Sequence, residues 1–305
     1  MAGTPSPESV RLTNGVVEVR VPTAYGPRVS HYGVAGGPNV FGDAPDAQRE
    51  TPHGMWRAYG GHRLWAAPER FPETYTIDDL PPEIESSERR IVVRRARDPR
   101  TGLVAGMDVQ LDAAGATDTK LDAAGTGVTV IHAIENQSDG PRRLAPWGLT
   151  VVRPGGVALI PNPERRSQRE ALLPARTISL WSYTDLSDSR FVFGPEFLRL
   201  RCDPACQAPN KIGVACERGW FAYLVERTAF VVRTAYDPGA EYPDRGCSVE
   251  IYTEGGFCEV ETLAPLTTLA PRETARHTER WSLVPDIAAD DDESLARILG
   301  KHVAE

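Results

Sequence analysis

An all-β fold, a sandwich or a barrel, is what this chain of 305 residues predicts, and three observations carry the prediction. Short β-branched segments recur with alternating polarity, each bounded by Gly, Pro, Asn or Asp. Breakers are frequent, with 27 glycines and 26 prolines, so long helices have little room. No helical segments alternate with the strands, which argues against a parallel α/β sheet.

The elements follow in order. Strand-like runs occupy 16–21, 91–94, 128–134, 229–233 and 248–253. The run after Gly255-Gly256 alternates strictly, so Phe257, Glu259, Glu261 and Leu263 share one face. Residues 273–283 alternate as a final strand whose charged face is solvated. A helix is expected over 290–299, with acids at its start, Lys301 and His302 beyond its end and Gly300 as its stop. Leu-Asp-Ala-Ala-Gly occurs at 111–115 and again at 121–125, read as a surface hairpin rather than a solenoid. No Ser/Gly/Pro linker divides the chain, so one domain over 1–305 is expected, with a core of about 10–285 and a helical tail over 286–305.

Bulk properties exclude several classes. Apolar residues make up 41% and charged residues 25%, a globular balance. The formal net charge is −8 with no long basic run, which disfavours nucleic acid and anionic membranes as partners. Residues 1–7 lack the charged and apolar regions of a secretory leader, and no apolar run reaches membrane-spanning length. A cytoplasmic protein is expected. Five cysteines without a leader argue against a disulfide framework. Cys202 and Cys206 have no second pair and no nearby histidine, so buried thiols are expected rather than zinc ligands.

Two segments carry the chemistry. Glu259 and Glu261 lie roughly 7 Å apart along a strand, and their mutual repulsion with partial burial raises a carboxyl pKa. Either is suited to act as a base or to accept hydrogen bonds from a polyol; a solvated sheet face is the plain alternative. Gly60-Gly61-His62-Arg63-Leu64-Trp65 sets an imidazole, a guanidinium and an indole behind two glycines. Glycine lets backbone approach a ligand, Arg63 offers a planar donor fork, and Trp65 can stack on a sugar face. A tight turn with Trp65 in the core is the alternative. Asp244 lies in a turn-forming stretch and is a candidate for a site mouth. Lys211 reads as a loop cation exposed to solvent. His132 reads as a satisfied core histidine, and His62 is the histidine singled out for chemistry. No nucleophile elbow, P-loop or dinucleotide fingerprint is present.

The 60–65 segment, the run 242–266 and the closing Glu279-Arg280-Trp281-Ser282-Leu283 resemble the galactose mutarotase-like superfamily, in a bacterial branch of it. The resemblance spans about 10–285 and implies a β-supersandwich of large antiparallel sheets with a groove for a small carbohydrate. It implies aldose 1-epimerase chemistry: a late glutamate, matched at Glu261, takes the anomeric proton, and a histidine protonates the ring oxygen. Arg63 matches the family's sugar-binding arginine, and Glu259 neighbours the base. Two departures stand out. Glu261 is followed by Thr262-Leu263, not by the family's Pro-Gln or Pro-Gly. The family's acid histidine is missing, and Trp147 stands near its place. An indole cannot donate that proton with useful driving force, so the acid role falls to His62 if catalysis follows the family's course. Trp65, Trp147, Asp244 and Lys211 complete the expected sugar contacts, and no cofactor is called for. Alternatives are a sugar-binding protein without turnover, or another enzyme on the scaffold, such as a lyase or one holding a metal on Glu259, Glu261 and His62.

Overall fold

The computed structural model describes residues 8–113 and 125–303. The leader reading at 1–7 and most of the hairpin expected over 111–125 fall outside these residues. The chain opens with Ser9–Thr13 (β1), Val17–Pro22 (β2), Arg28–Val29 (β3) and His31–Val34 (β4), then a ribbon of Asp43–Thr51 (β5) and Gly54–Gly60 (β6). His62–Ala67 (β7), Glu83–Ser87 (β8), Arg90–Arg94 (β9), Leu103–Leu111 (β10), Val128–Asn136 (β11) and Arg142–Val151 (β12) follow. Then come Val157–Pro161 (β13), Ile178–Leu180 (β14), Phe191–Phe193 (β15), Phe197–Arg201 (β16), Asn210–Val214 (β17) and Trp220–Val225 (β18). Thr228–Thr234 (β19), Val249–Glu254 (β20), Phe257–Leu263 (β21), Thr267–Leu269 (β22) and Thr274–Val284 (β23) complete the strands.

Two large antiparallel sheets dominate. One has ten strands in the order β15-β16-β13-β18-β19-β23-β11-β10-β9-β8. The other has eight, β14-β17-β20-β21-β12-β7-β3 with β22 paired to β12. Their facing sides bury an apolar core that includes Tyr32, Phe41, Val109, Ile160, Phe230, Val260 and Trp281. The all-β sandwich of large antiparallel sheets is therefore what this alternation of apolar residues builds.

Three local readings change. The helix runs Asp292–Val303 and passes through Gly300. Buried Leu295 and Leu299 anchor it, and His302 lies 2.8 Å from Ser282 Oγ, so tertiary packing overrides the glycine stop. On β23 the outward face carries Arg276 and Arg280, but His277 and Glu279 point inward and are buried. The Gly60–Gly61 pair serves a neighbouring chain segment, not a ligand. A Cβ on Gly61, at φ +67°, would collide with the Val29 carbonyl oxygen, and one on Gly60 with that of Gly42. All five cysteines are free, four of them buried. Among the described residues no helix is long and apolar enough to cross a membrane.

Candidate active site

The outer face of the eight-stranded sheet carries the site. Strand register places Glu250, Glu261, Leu149, Arg63 and Arg28 in one row across β20, β21, β12, β7 and β3. Two residues along, Lys211, Tyr252, Glu259 and Val151 form the next row, and on the other side Leu263, Trp147 and Trp65 form a third. Because side chains alternate, all of these rows share a face. They floor a hollow of about 570 Å³. Trp56, Trp65, Trp147 and Tyr75 wall one side; Tyr183, Tyr252 and Phe257 wall the other.

Two ion-paired groups lie at its base. Glu261, 1% exposed, accepts through Oε2 from Trp147 Nε1 at 2.9 Å and from Lys211 Nζ at 3.0 Å. Lys211 Nζ is also 2.7 Å from Glu250 Oε2 and lies over the rings of Trp147 and Trp181. Burial pulls the ammonium toward neutrality, but Glu250 and Glu261 outweigh it and hold Lys211 protonated, well above the ordinary lysine range. Burial raises the Glu261 carboxyl, with Lys211 opposing and Glu259 adding to the rise. Burial raises Glu250 further, despite Lys211. The second is the pair of Arg63 and Glu259, with Nη1 and Oε1 2.6 Å apart. The Arg63 guanidinium stacks 4.6 Å from the Trp65 ring and 5.5 Å from that of Trp56. Behind it, Arg28 donates to the Gly60 carbonyl at 2.7 Å, and burial together with Arg63 brings it down to about 10. Arg63 Nε and Trp65 Nε1 are buried and donate to no protein group among the described residues.

Of the residues singled out in the sequence, Glu261, Glu259, Arg63, Trp65, Trp147 and Lys211 line this hollow. His62 does not. It precedes Arg63 on β7, so its side chain leaves the opposite face of the sheet. There it is fully buried, with Nδ1 2.8 Å from Thr150 Oγ1 and Nε2 2.7 Å from His132 Nε2. It cannot reach a ring oxygen held over Glu261, and the metal set of Glu259, Glu261 and His62 is not assembled. Asp244 is also outside the hollow. It sits at φ +50° in the turn Pro243–Gly246, where its carbonyl accepts from Ser179 Oγ and Cys247 Sγ. Lys211 is not a solvent-exposed loop cation but a buried residue of β17.

The inner network continues from His62. His132 Nδ1 donates to the His277 carbonyl at 3.1 Å, and His277 Nε2 lies 2.7 Å from Thr262 Oγ1. Glu279 accepts from the Thr262 hydroxyl and from Trp281 Nε1, the latter at 2.6 Å. Burial keeps His62, His132 and His277 below the usual imidazole range, His277 down to about 3.

Sequence reasoning overlooked Glu250 and the wall residues Trp56, Tyr75, Tyr183 and Tyr252. For Glu250 a signal existed: a carboxylate between Val249 and Ile251, on a strand that pairs with the Glu259/Glu261 strand. The wall residues come from distant segments that only the sheet brings together.

No protein-family model matches the chain, and no curated protein matches it. Solved structures do. A candidate aldose 1-epimerase from Escherichia coli K12 superposes with a TM-score of 0.55 at 10% identity, covering 91% of this chain and 99% of its own. A galactose mutarotase-like protein from Lactobacillus casei gives 0.51 at 10% identity, with 91% and 100% covered. A TPR-domain-containing protein from Parabacteroides distasonis gives 0.58 at 13% identity, with 92% of this chain and 48% of that one covered. The fold is thus the galactose mutarotase-like fold.

Proposed function

We propose that the hollow binds a neutral aldose and interconverts its anomers, with Glu261 as base and Lys211 as proton donor. The contact between Lys211 Nζ and Glu261 Oε2, 3.0 Å at the floor of an aromatic-walled hollow, carries this reading. The ring oxygen and anomeric oxygen of a sugar sit on one carbon, so adjacent acid and base can address both. Glu261 takes the anomeric hydroxyl proton, the C1–O1 carbonyl forms and the C1–ring oxygen bond breaks. The ring oxygen takes a proton from Lys211 Nζ. Rotation about C1–C2 and the reverse steps close the other anomer: Glu261 returns its proton to the former carbonyl oxygen and Lys211 takes back the proton of the attacking hydroxyl, so both groups are reset. Glu250 keeps the ammonium charged between turnovers. The Glu259 carboxylate is offered to sugar hydroxyls, and the indole faces to the sugar's C–H faces.

Charge favours a neutral substrate. Four carboxylates (Glu69, Glu254, Glu259, Glu261) line the hollow against three cations (Arg49, Arg63, Lys211), and the two buried cations are already paired. Only the exposed Arg49, which donates to the Tyr75 hydroxyl, has no carboxylate partner among the described residues.

The test is anomer exchange by NMR on a panel of aldoses and their 6-phosphates, with wild type and Glu261→Gln. Enhancement over buffer for neutral aldoses, lost in the variant, is expected; no enhancement with any aldose sinks the reading. A second reading, binding without turnover, is favoured by one observation: the carboxylate is already held by two donors. Calorimetric sugar binding with no exchange would select it.

A further inference from the structure

We propose that His62, His132 and Glu279 form a site for a divalent transition ion of the zinc class, sealed between the two large sheets. It lies on the opposite side of β7 from the hollow and is independent of the function proposed there. The candidate ligand atoms are one nitrogen from each imidazole and one carboxylate oxygen, all within 4.8 Å of one another. His62 Nε2 lies 2.7 Å from His132 Nε2 and 4.0 Å from Glu279 Oε2. Zinc bonds of about 2.0 Å at tetrahedral angles space ligand atoms about 3.3 Å apart. That spacing falls between the two observed distances, so a modest parting of the rings and approach of the carboxylate would seat an ion.

The outer partners suit such a site. His132 Nδ1 donates to the His277 carbonyl, which leaves its Nε2 with a lone pair. Thr150 Oγ1 can accept from His62 Nδ1, which does the same for the other imidazole. Glu279 is steadied by Thr262 and Trp281. The lack of a side chain at 148 gives it room, since a Cβ there would collide with Glu279 Oε1.

Charge supplies the second observation. Glu279 is 1% exposed in an aromatic interior, and both of its donors are neutral groups. No lysine or arginine pairs with it among the described residues. A buried carboxylate without a cation is costly, and a divalent ion would balance it. Two imidazoles and a carboxylate suit zinc or a neighbouring first-row ion rather than magnesium or calcium. The ligands come from β7 of one sheet and β11 and β23 of the other, so the ion would stitch the sheets together. The three protein ligands leave a tetrahedral ion its fourth position open, and an ion enclosed between the sheets would enter during folding.

The competing arrangement is a plain hydrogen bond from His62 Nε2–H to His132 Nε2. To separate the two, the full chain without a histidine tag is unfolded in denaturant with chelator. It is then refolded in metal-free buffer with one equivalent of Zn²⁺, of Co²⁺, or with no metal. The proposal expects about one metal per chain after dialysis, visible Co²⁺ d–d bands, and a higher Tm for the loaded protein. His132→Ala and, should that variant not fold, Glu279→Gln are expected to lose the bands and the Tm increment. Wild type that retains less than about a tenth of an equivalent, with Tm unmoved, overturns the proposal. So does metal retained equally by the variants, which would place it at the free thiols.

Discussion

The indole nitrogen of Trp147 donates to Oε2 of Glu261 at 2.9 Å. The side chain near the position where the resembled family keeps its acid histidine therefore holds the candidate base. Trp147→Phe removes that donor and trims the buried indole to a smaller phenyl ring, so the bond's loss comes with some loss of packing. A hydrogen bond to a charged group contributes about 1.5–3 kcal/mol, so a loss of that order is expected in denaturant unfolding. An unchanged midpoint would show that the bond contributes nothing.

Glu261→Gln is expected to bring anomer exchange down to the buffer rate while calorimetric affinity for the same sugar stays within about tenfold, roughly 1.4 kcal/mol. The amide preserves shape and one acceptor but cannot take the proton. Exchange at wild-type rates would remove Glu261 as the base.

The pH profile should bear the mark of burial. Burial raises the Glu261 carboxyl, and a base acts only when deprotonated, so the acid limb of the exchange rate lies above the ordinary glutamate value of 4.5. Lys211 opposes that rise. Lys211→Met removes the opposing cation, so the limb of any residual exchange moves to still higher pH. A shift toward lower pH would contradict the assignment.

Arg63→Ala breaks a buried pair and strands Glu259 without its cation. Such losses run to about 3–5 kcal/mol, and weaker sugar binding is expected along with lower stability. Arg63→Lys keeps the charge but loses the planar fork that stacks on Trp65 and Trp56, so affinity should recover only in part. Full recovery would mean that charge alone matters.

Gly61→Ala puts a methyl against the Val29 carbonyl and forces a side chain onto φ +67°. A destabilisation of more than about 1 kcal/mol is expected from thermal unfolding. An unaffected Tm would show that the β3–β7 contact yields easily.

Much of the architecture was legible in the chain. Alternation predicted the shared face of Glu259 and Glu261, and both line the hollow. Alternation applied to 60–65 also separates His62 from Arg63, yet grouping residues by chemical company put them together; period 2 was the better guide. Lys211 was misread because a single cation between Asn210 and Ile212 carries no sign of its partners. Glu250 and Glu261 lie on strands about 40 and 50 positions further along, and only pairing of β17 with β20 and β20 with β21 brings them near. Gly300 misled for the opposite reason: a local stop signal lost to the burial of Leu299.

Neighbouring residues of one short strand thus serve opposite faces of the sheet, one open to the hollow and the other packed between the sheets. Dropping or adding a single residue in β7 would send a guanidinium into the dry interior and an imidazole into the hollow, ruining both at once. Length variation in this strand is therefore opposed twice over.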